Sequence, residues 1–317
     1  MTVLLKFWPM RKFNINPVIS CLLVLFLLCS CETKLHFPES PPPIPQSEPP
    51  ENVRVALVLG GGGTKGVSHV GVLEVFEEAG IPIDVIVGCS AGSIVGALYA
   101  NCPNAKYVRQ ILKPLKTWDI LDINIWYGRY GLVQGGALRK FLRKNLSCRC
   151  FEELQIPLYV VATDIIAGEL VCLSSGPIVP AVHASAAVPL VFTPVYYHQR
   201  WLVDGGVADP VPVRIARNTG AAIVIAVDLS GLLPETCPTN LFGVAARSAE
   251  IKFLLQSESC VKGADIIIRP ELGDMGMFDD KNYQHVYESG RKAATEALPK
   301  IFELLYQMGY CISYEKA

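Results

Sequence analysis

From residue 53 onward the chain alternates between two patterns. Short runs of Val, Ile, Ala and Leu, almost without polar interruption, occur at residues 53–60, 83–88, 157–164, 221–228 and 264–270. Between them lie stretches whose apolar positions recur every three to four residues, such as 70–80 and 137–145. An unbroken β-branched run has no wet face, so each reads as a strand covered on both sides, as in a parallel sheet. The longer period reads as amphipathic helix. Strand and helix in alternation predict an α/β fold, a three-layer α/β/α sandwich around a mostly parallel central sheet. A long closing helix is expected over residues 282–307, broken at Pro299, whose ring clashes with the preceding turn. No internal repeat is visible.

The first 52 residues follow neither pattern. Lys6, Arg11 and Lys12 form a basic start, and residues 18–31 form an apolar stretch ending in small residues. Its apolar core of about 13 residues falls short of the roughly 20 that span a bilayer, so it reads as a targeting segment. The ending Leu28-Cys29-Ser30-Cys31 resembles the bacterial lipobox, in which the last Cys, here Cys31, becomes the lipidated N-terminus. An uncleaved signal anchor or an ordinary secretory leader is the alternative. Either anchor predicts an exported chain held at a membrane surface. Residues 32–52 hold seven prolines and read as an extended, semi-rigid tether. The expected layout is signal segment 1–31, tether 32–52, body 53–305 and a short tail 306–317.

Composition narrows the classes. At 317 residues, 51% hydrophobic and 18% charged, the chain is long enough for a well-filled core, and a net charge of −1 gives no footprint for nucleic acid. Eleven cysteines in an exported chain invite a disulfide framework. However, three belong to the leader, while Cys89, Cys102 and Cys172 sit in or beside apolar segments where Cys acts as a small hydrophobe. Cys148 and Cys150 are too close together for a usual zinc pair, and no matching pair follows. No metal is expected.

Three short stretches carry chemistry. Gly61, Gly63 and Gly66 have the spacing G-x-G-x-x-G between a strand and a helix, as a dinucleotide-binding fingerprint requires. That site also wants an acid near the end of the second strand. Here the second strand runs into Gly88-Cys89-Ser90, and Asp84 lies near its start. Lys65 precedes Gly66 rather than Ser or Thr, which argues against a phosphate loop. The second stretch, Gly88-Cys89-Ser90-Ala91-Gly92, is G-x-S-x-G on a strand-to-helix turn, the form of a nucleophile elbow. A serine nucleophile needs a base. His69, His183, His198 and His285 are available, but none sits in a pattern that singles it out. The third stretch is Asp204-Gly205-Gly206. It reads either as a tight turn or as a carboxylate freed by its glycines to face a neighbour.

Taken in order, Gly61-Gly62-Gly63-Thr64-Lys65-Gly66, Gly88-Cys89-Ser90-Ala91-Gly92 and Asp204-Gly205-Gly206 resemble the patatin-like phospholipase family. Residues 183–195 resemble the stretch that precedes the family's aspartate. The region around 264–280 is similar to bacterial members related to the catalytic domain of neuropathy target esterase. The likeness spans about residues 53–301. It implies a patatin-like sandwich and a serine acyl hydrolase working through a Ser90–Asp204 dyad without histidine. The amides of Gly61, Gly62 and Gly63 would form the oxyanion hole, supported by Lys65, Gly66, Gly88, Gly92, Gly205 and Gly206. Membrane lipids are the implied substrate, and no cofactor is implied. Lys65 reads as a guide for anionic headgroups, as a brace holding the glycine loop in place, or as a solvated helix-start residue. Asp209 stands where many members carry Asn, and before Pro210 it reads as a cap for the next helix. The competing readings are a nucleotide-binding oxidoreductase, a non-catalytic surface lipoprotein, and acyl transfer in place of hydrolysis.

Overall fold

Alternation along the strands decides which layer each side chain enters. The computed structural model describes residues 41–310 apart from 123–129, 234, 274 and 280–281. The basic start, the apolar segment, Cys31 and residues 32–40 of the tether lie outside the described residues. The strands are β1 (Val55–Leu59), β2 (Val85–Cys89), β3 (Leu158–Asp164), β4 (Glu169–Leu173), β5 (Val195–Tyr197), β6 (Arg200–Asp204), β7 (Ile223–Val227) and β8 (Ile266–Ile268). The α-helices are α1 (Val67–Glu78), α2 (Ala91–Asn101), α3 (Ala105–Leu112), α4 (Thr117–Ile120), α5 (Gly136–Asn145), α6 (Ile178–Ser185), α7 (Val213–Asn218), α8 (Leu241–Cys260) and α9 (Tyr283–Gln307).

The five apolar runs form a parallel sheet in the order β3-β2-β1-β7-β8. Both of its faces are covered, which is why these strands carry no polar alternation. Val55, Leu57 and Leu59 of β1, with Ile223, Ile225 and Val227 of β7, enter a large core shared with α1, α2 and α9. Ala56, Val58, Val224 and Ala226 enter a smaller core on the other face, closed by Val213 and Ala216 of α7 and by Val261. This is the expected α/β sandwich.

The three strands that the pattern does not announce, β4, β5 and β6, are antiparallel additions at β3. Their arrangement places the site. Residues 160–164 of β3 pair with β4 along one edge. Along the other edge β3 pairs first with β2, up to Cys89↔Val161, and then with β6, from Ala162↔Asp204. Strands β2 and β6 thus meet head to head on one edge, with Cys89 and Asp204 opposite consecutive residues.

Helix α9 runs unbroken through Pro299. A proline inside a helix costs about 3 kcal/mol. Here Ala294, Leu298, Ile301 and Leu305 are buried on both sides of it against the core, and that burial outweighs the lost bond. Part of the tether stretch lies on the body: Ile44 packs against the large core, and the Ser47 N–H donates to Ser174 Oγ at 3.0 Å.

Candidate active site

Ser90 occupies the one-residue turn between β2 and α2, with φ 51° and ψ −119°. A non-glycine residue at such a φ is strained by about 1–3 kcal/mol, and the surrounding bonds hold it there. Its N–H donates to Ser185 Oγ at 2.9 Å, and its carbonyl accepts from the Ser93 hydroxyl at 2.7 Å. Close packing forces the flanking glycines. A Cβ on Gly92 would overlap the Leu59 carbonyl oxygen, and one on Gly88 would lie 2.6 Å from Ser93 Cα.

The Ser90 hydroxyl donates to Asp204 Oδ2 at 2.5 Å. Both residues are buried. The other carboxylate oxygen accepts the Gly206 N–H at 2.7 Å, and the Thr163 hydroxyl donates to the Asp204 carbonyl at 2.9 Å. Burial pushes the Asp204 carboxyl up to about 6 from its ordinary 3.8, against the pull of its bonds to Ser90 and Gly206. An ordinary aspartate is a poor base toward a hydroxyl at neutral pH, whereas one near 6 is better matched to the task. Gly205 allows the chain to turn here, since a Cβ would overlap the Val161 carbonyl.

The glycine loop follows β1 at the same end of the sheet. Its amides are not equivalent. Gly60 N–H donates to the Val227 carbonyl and Gly61 N–H to the Pro210 carbonyl, each at 3.0 Å. Gly61 is thereby removed from the expected oxyanion set, because its donor is already spent on the chain. The N–H groups of Gly62 and Gly63 donate to no other described residue, and Gly63 lines the same cavity as Ser90. Gly63 has φ 61°, and a Cβ there would overlap the Met277 carbonyl oxygen, which also accepts the Thr64 N–H at 2.9 Å. Gly66 lies against Ala91, the residue after Ser90, with room for no Cβ.

None of the four histidines bonds to Ser90. His69 Nε2 lies 2.8 Å from the Gly60 carbonyl, which can only accept, so the ring donates through Nε2. Burial pulls its pKa down to about 4 and keeps it neutral. It braces the glycine loop from below. His183 contacts Arg139 through Nδ1 at 3.2 Å, His198 lies in the β5–β6 turn, and His285 is exposed on α9. Asp84 forms an ion pair with Arg54 at 2.5 Å at the opposite end of β2, so no free acid waits there for a ribose.

Ser90 opens into a cavity of about 360 Å³. Its walls are mainly apolar, including Ile94, Val95, Leu115, Leu121, Leu138 and Phe192. Such a space suits an alkyl chain rather than a charged group.

A family model described as patatin-like phospholipase matches residues 57–217, half of the chain, a span holding the glycine loop, Ser90 and Asp204. The chain belongs to the patatin-like phospholipase family. It is 30% identical over 278 residues to the patatin-like phospholipase domain-containing protein ZK370.4 of Caenorhabditis elegans, a match covering 77% of this chain and 20% of that one. Lysophospholipase NTE1 of Debaryomyces hansenii is 27% identical over 280 residues, covering 78% of this chain and 18% of the relative. The chain thus spans about a fifth of the length of these curated relatives. The crystal structure of VipD from Legionella pneumophila shares the fold, with a TM-score of 0.56 at 14% identity over 81% of this chain and 70% of that chain.

Within this patatin-like frame Asp209 differs from expectation, and the position of Lys65 favours one of its expected readings. Asp209 does not cap a helix. The N-cap of α7 is Pro212, and Asp209 is buried beside the Cys260 thiol, its carboxyl raised by burial. Lys65 reaches away from Ser90 into a separate recess of about 40 Å³ lined by Leu229, Glu250 and Phe253. Its pKa is lowered by burial there. That position suits a brace for the loop better than a guide for headgroups in the Ser90 cavity. Ser185 and Met277 fall inside the family-like stretches 183–195 and 264–280, but sequence reading assigns neither a role. Their partners lie 95 and 213 residues away, a pairing that no local pattern can show.

Proposed function

We propose that this patatin-like chain is a serine acyl hydrolase acting on lipid esters, of phospholipase or lysophospholipase type. The observation that carries this reading is the buried 2.5 Å bond from the Ser90 hydroxyl to Asp204 Oδ2, with Ser90 in the wall of an apolar cavity. Ser90 Oγ attacks the ester carbonyl carbon while its proton passes to Asp204. Negative charge gathers on the carbonyl oxygen, and the unspent amides of Gly62 and Gly63, the latter in the cavity lining, are the part of the glycine loop left to receive it. Collapse expels the alcohol, which takes the proton from Asp204. Asp204 then removes a proton from water, which attacks the acyl-serine and releases the fatty acid. The cavity walls hold the acyl chain. The family, and a relative whose name is lysophospholipase, support a lipid substrate. The N-terminal pattern through Cys31 supports an exported body held at a membrane, which would raise its local concentration of lipid.

The test is turnover of a short-chain p-nitrophenyl ester and of a labelled phospholipid by the parent chain, Ser90→Ala and Asp204→Asn. The expected result is turnover by the parent and background rates in both variants, with folding preserved by circular dichroism. Parental activity in Ser90→Ala would overturn the reading.

A further inference from the structure

The apolar lining of the Ser90 cavity does not stop at its mouth. Thr117 and Ile120 of α4 line it, and between them Trp118 stands 70% exposed. Val188 and Phe192 also line it, and in the loop between them Leu190 is 61% exposed. Phe278, itself part of the lining, is 42% exposed. Soluble surfaces scatter single apolar residues, but three large ones around one apolar opening form a directed patch. Leu190 adds a further sign. It is held at φ 71°, a conformation unfavourable for a leucine, although exposure gives its side chain no share in the core.

Two cations complete the rim. Lys113 and Lys116 are exposed at the mouth, and among the described residues neither forms an ion pair. The nearby Asp119 carboxylate is committed to the Lys116 N–H at 2.9 Å, where it caps α4. A tryptophan at a polar–apolar boundary, flanked by lysines whose alkyl stems can lie on apolar surface while their heads stay wet, is the composition of a bilayer-interface contact.

We propose that this rim seats on a lipid bilayer. Trp118, Leu190 and Phe278 enter the acyl–headgroup boundary, and Lys113 and Lys116 rest among phosphate groups. The cavity then opens directly into the acyl layer, and a chain passes from the bilayer to Ser90 without crossing water. This deepens the acyl-hydrolase reading and rests on it for the purpose of the contact, but not for the contact itself.

The test uses the full-length chain carrying Ser90→Ala, so that vesicles persist, and vesicles of phosphatidylcholine with phosphatidylglycerol whose acyl chains are brominated. Tryptophan fluorescence is compared with and without Trp118→Phe, and the difference isolates Trp118 from the other three tryptophans. The expected result is quenching and a blue shift of the Trp118 component, with apparent vesicle affinity lowered about tenfold by Leu190→Ser. Lys113→Glu with Lys116→Glu should remove the preference for phosphatidylglycerol. Co-sedimentation with no quenching of the Trp118 component would overturn the proposal, since the chain would then be held only by its N-terminal segment. Absence of co-sedimentation would overturn it as well.

With Ser90 intact, Trp118→Ala should release fatty acid from vesicles about tenfold more slowly while keeping turnover of a dispersed short-chain ester. An equal loss on both substrates would assign Trp118 to the fold of the site instead. If the parent hydrolyses neither substrate, the acyl-hydrolase reading fails, while quenching still decides the docking.

Discussion

Asp204 is ionised at neutral pH only against the preference of its surroundings. Its folded pKa of about 6 lies above the ordinary 3.8, so the native state holds this proton more tightly than the unfolded chain does. Stability from this group is therefore full below about pH 4 and lost as pH rises through 6, a difference of about 1–3 kcal/mol. Asp204→Asn should melt several degrees above the parent at pH 7.5, with the gap closing near pH 4.5, while ester turnover disappears. A variant that loses activity without gaining stability would show that the carboxylate is not held against a desolvation cost. For the parent, kcat/KM should fall tenfold per unit below about pH 6, because only the carboxylate accepts the Ser90 proton. His69→Phe separates bracing from titration. It leaves the Gly60 carbonyl without its donor, a loss of about 1–3 kcal/mol, and should slow turnover while leaving the acid limb in place. A limb that moves would make His69 the titrating group. Ser90 was legible because G-x-S-x-G states its own geometry. Asp204 was not legible from its residues, since an Asp-Gly-Gly turn looks the same whether or not a serine faces it.

At the scale of elements, the pair exists because two strands share one edge. Strand β2 ends opposite Val161, and β6 ends opposite Ala162, running the other way. The register of β3 thus sets the Ser90 elbow against Asp204. The parallel strands were legible as unbroken apolar runs. The antiparallel ones were not, because β5 is only three residues long and half-wet, and its pairing depends on a turn with positive φ at His198 and Gln199. The elbow depends equally on what crosses it. Gly92→Ala would place a methyl on the Leu59 carbonyl and should cost on the order of 3 kcal/mol. In thermal unfolding that is a fall of about 6–12 °C. A change within 1 °C would mean that β1 and α2 can part freely. Ser185→Ala strips the acceptor from the strained Ser90 N–H, and thermal unfolding should show a loss of about 1–3 kcal/mol.

At the scale of the whole molecule, two cores on opposite faces of one sheet explain why so little alternation marks the strands. They also explain why the layered fold could be read from periodicity alone. The same reading placed no helix over α8. Its exposed Leu241, Val244, Ile251 and Leu255 blur the amphipathic signal that would reveal it. Pro299 misled in the opposite direction, because a local rule cannot see the core on either side of it. Distance along the chain has one more consequence. The Thr64 N–H and hydroxyl are gripped by the carbonyls of Met277 and Asp279, more than two hundred residues later. A ribosome therefore delivers the glycine loop near the start of the body and its clasp near the end. A nascent or prematurely terminated body, even one holding Ser90 and Asp204 in register, lacks that clasp. The glycine loop is thus secured only after Met277 and Asp279 have been made, long after Ser90 and Asp204.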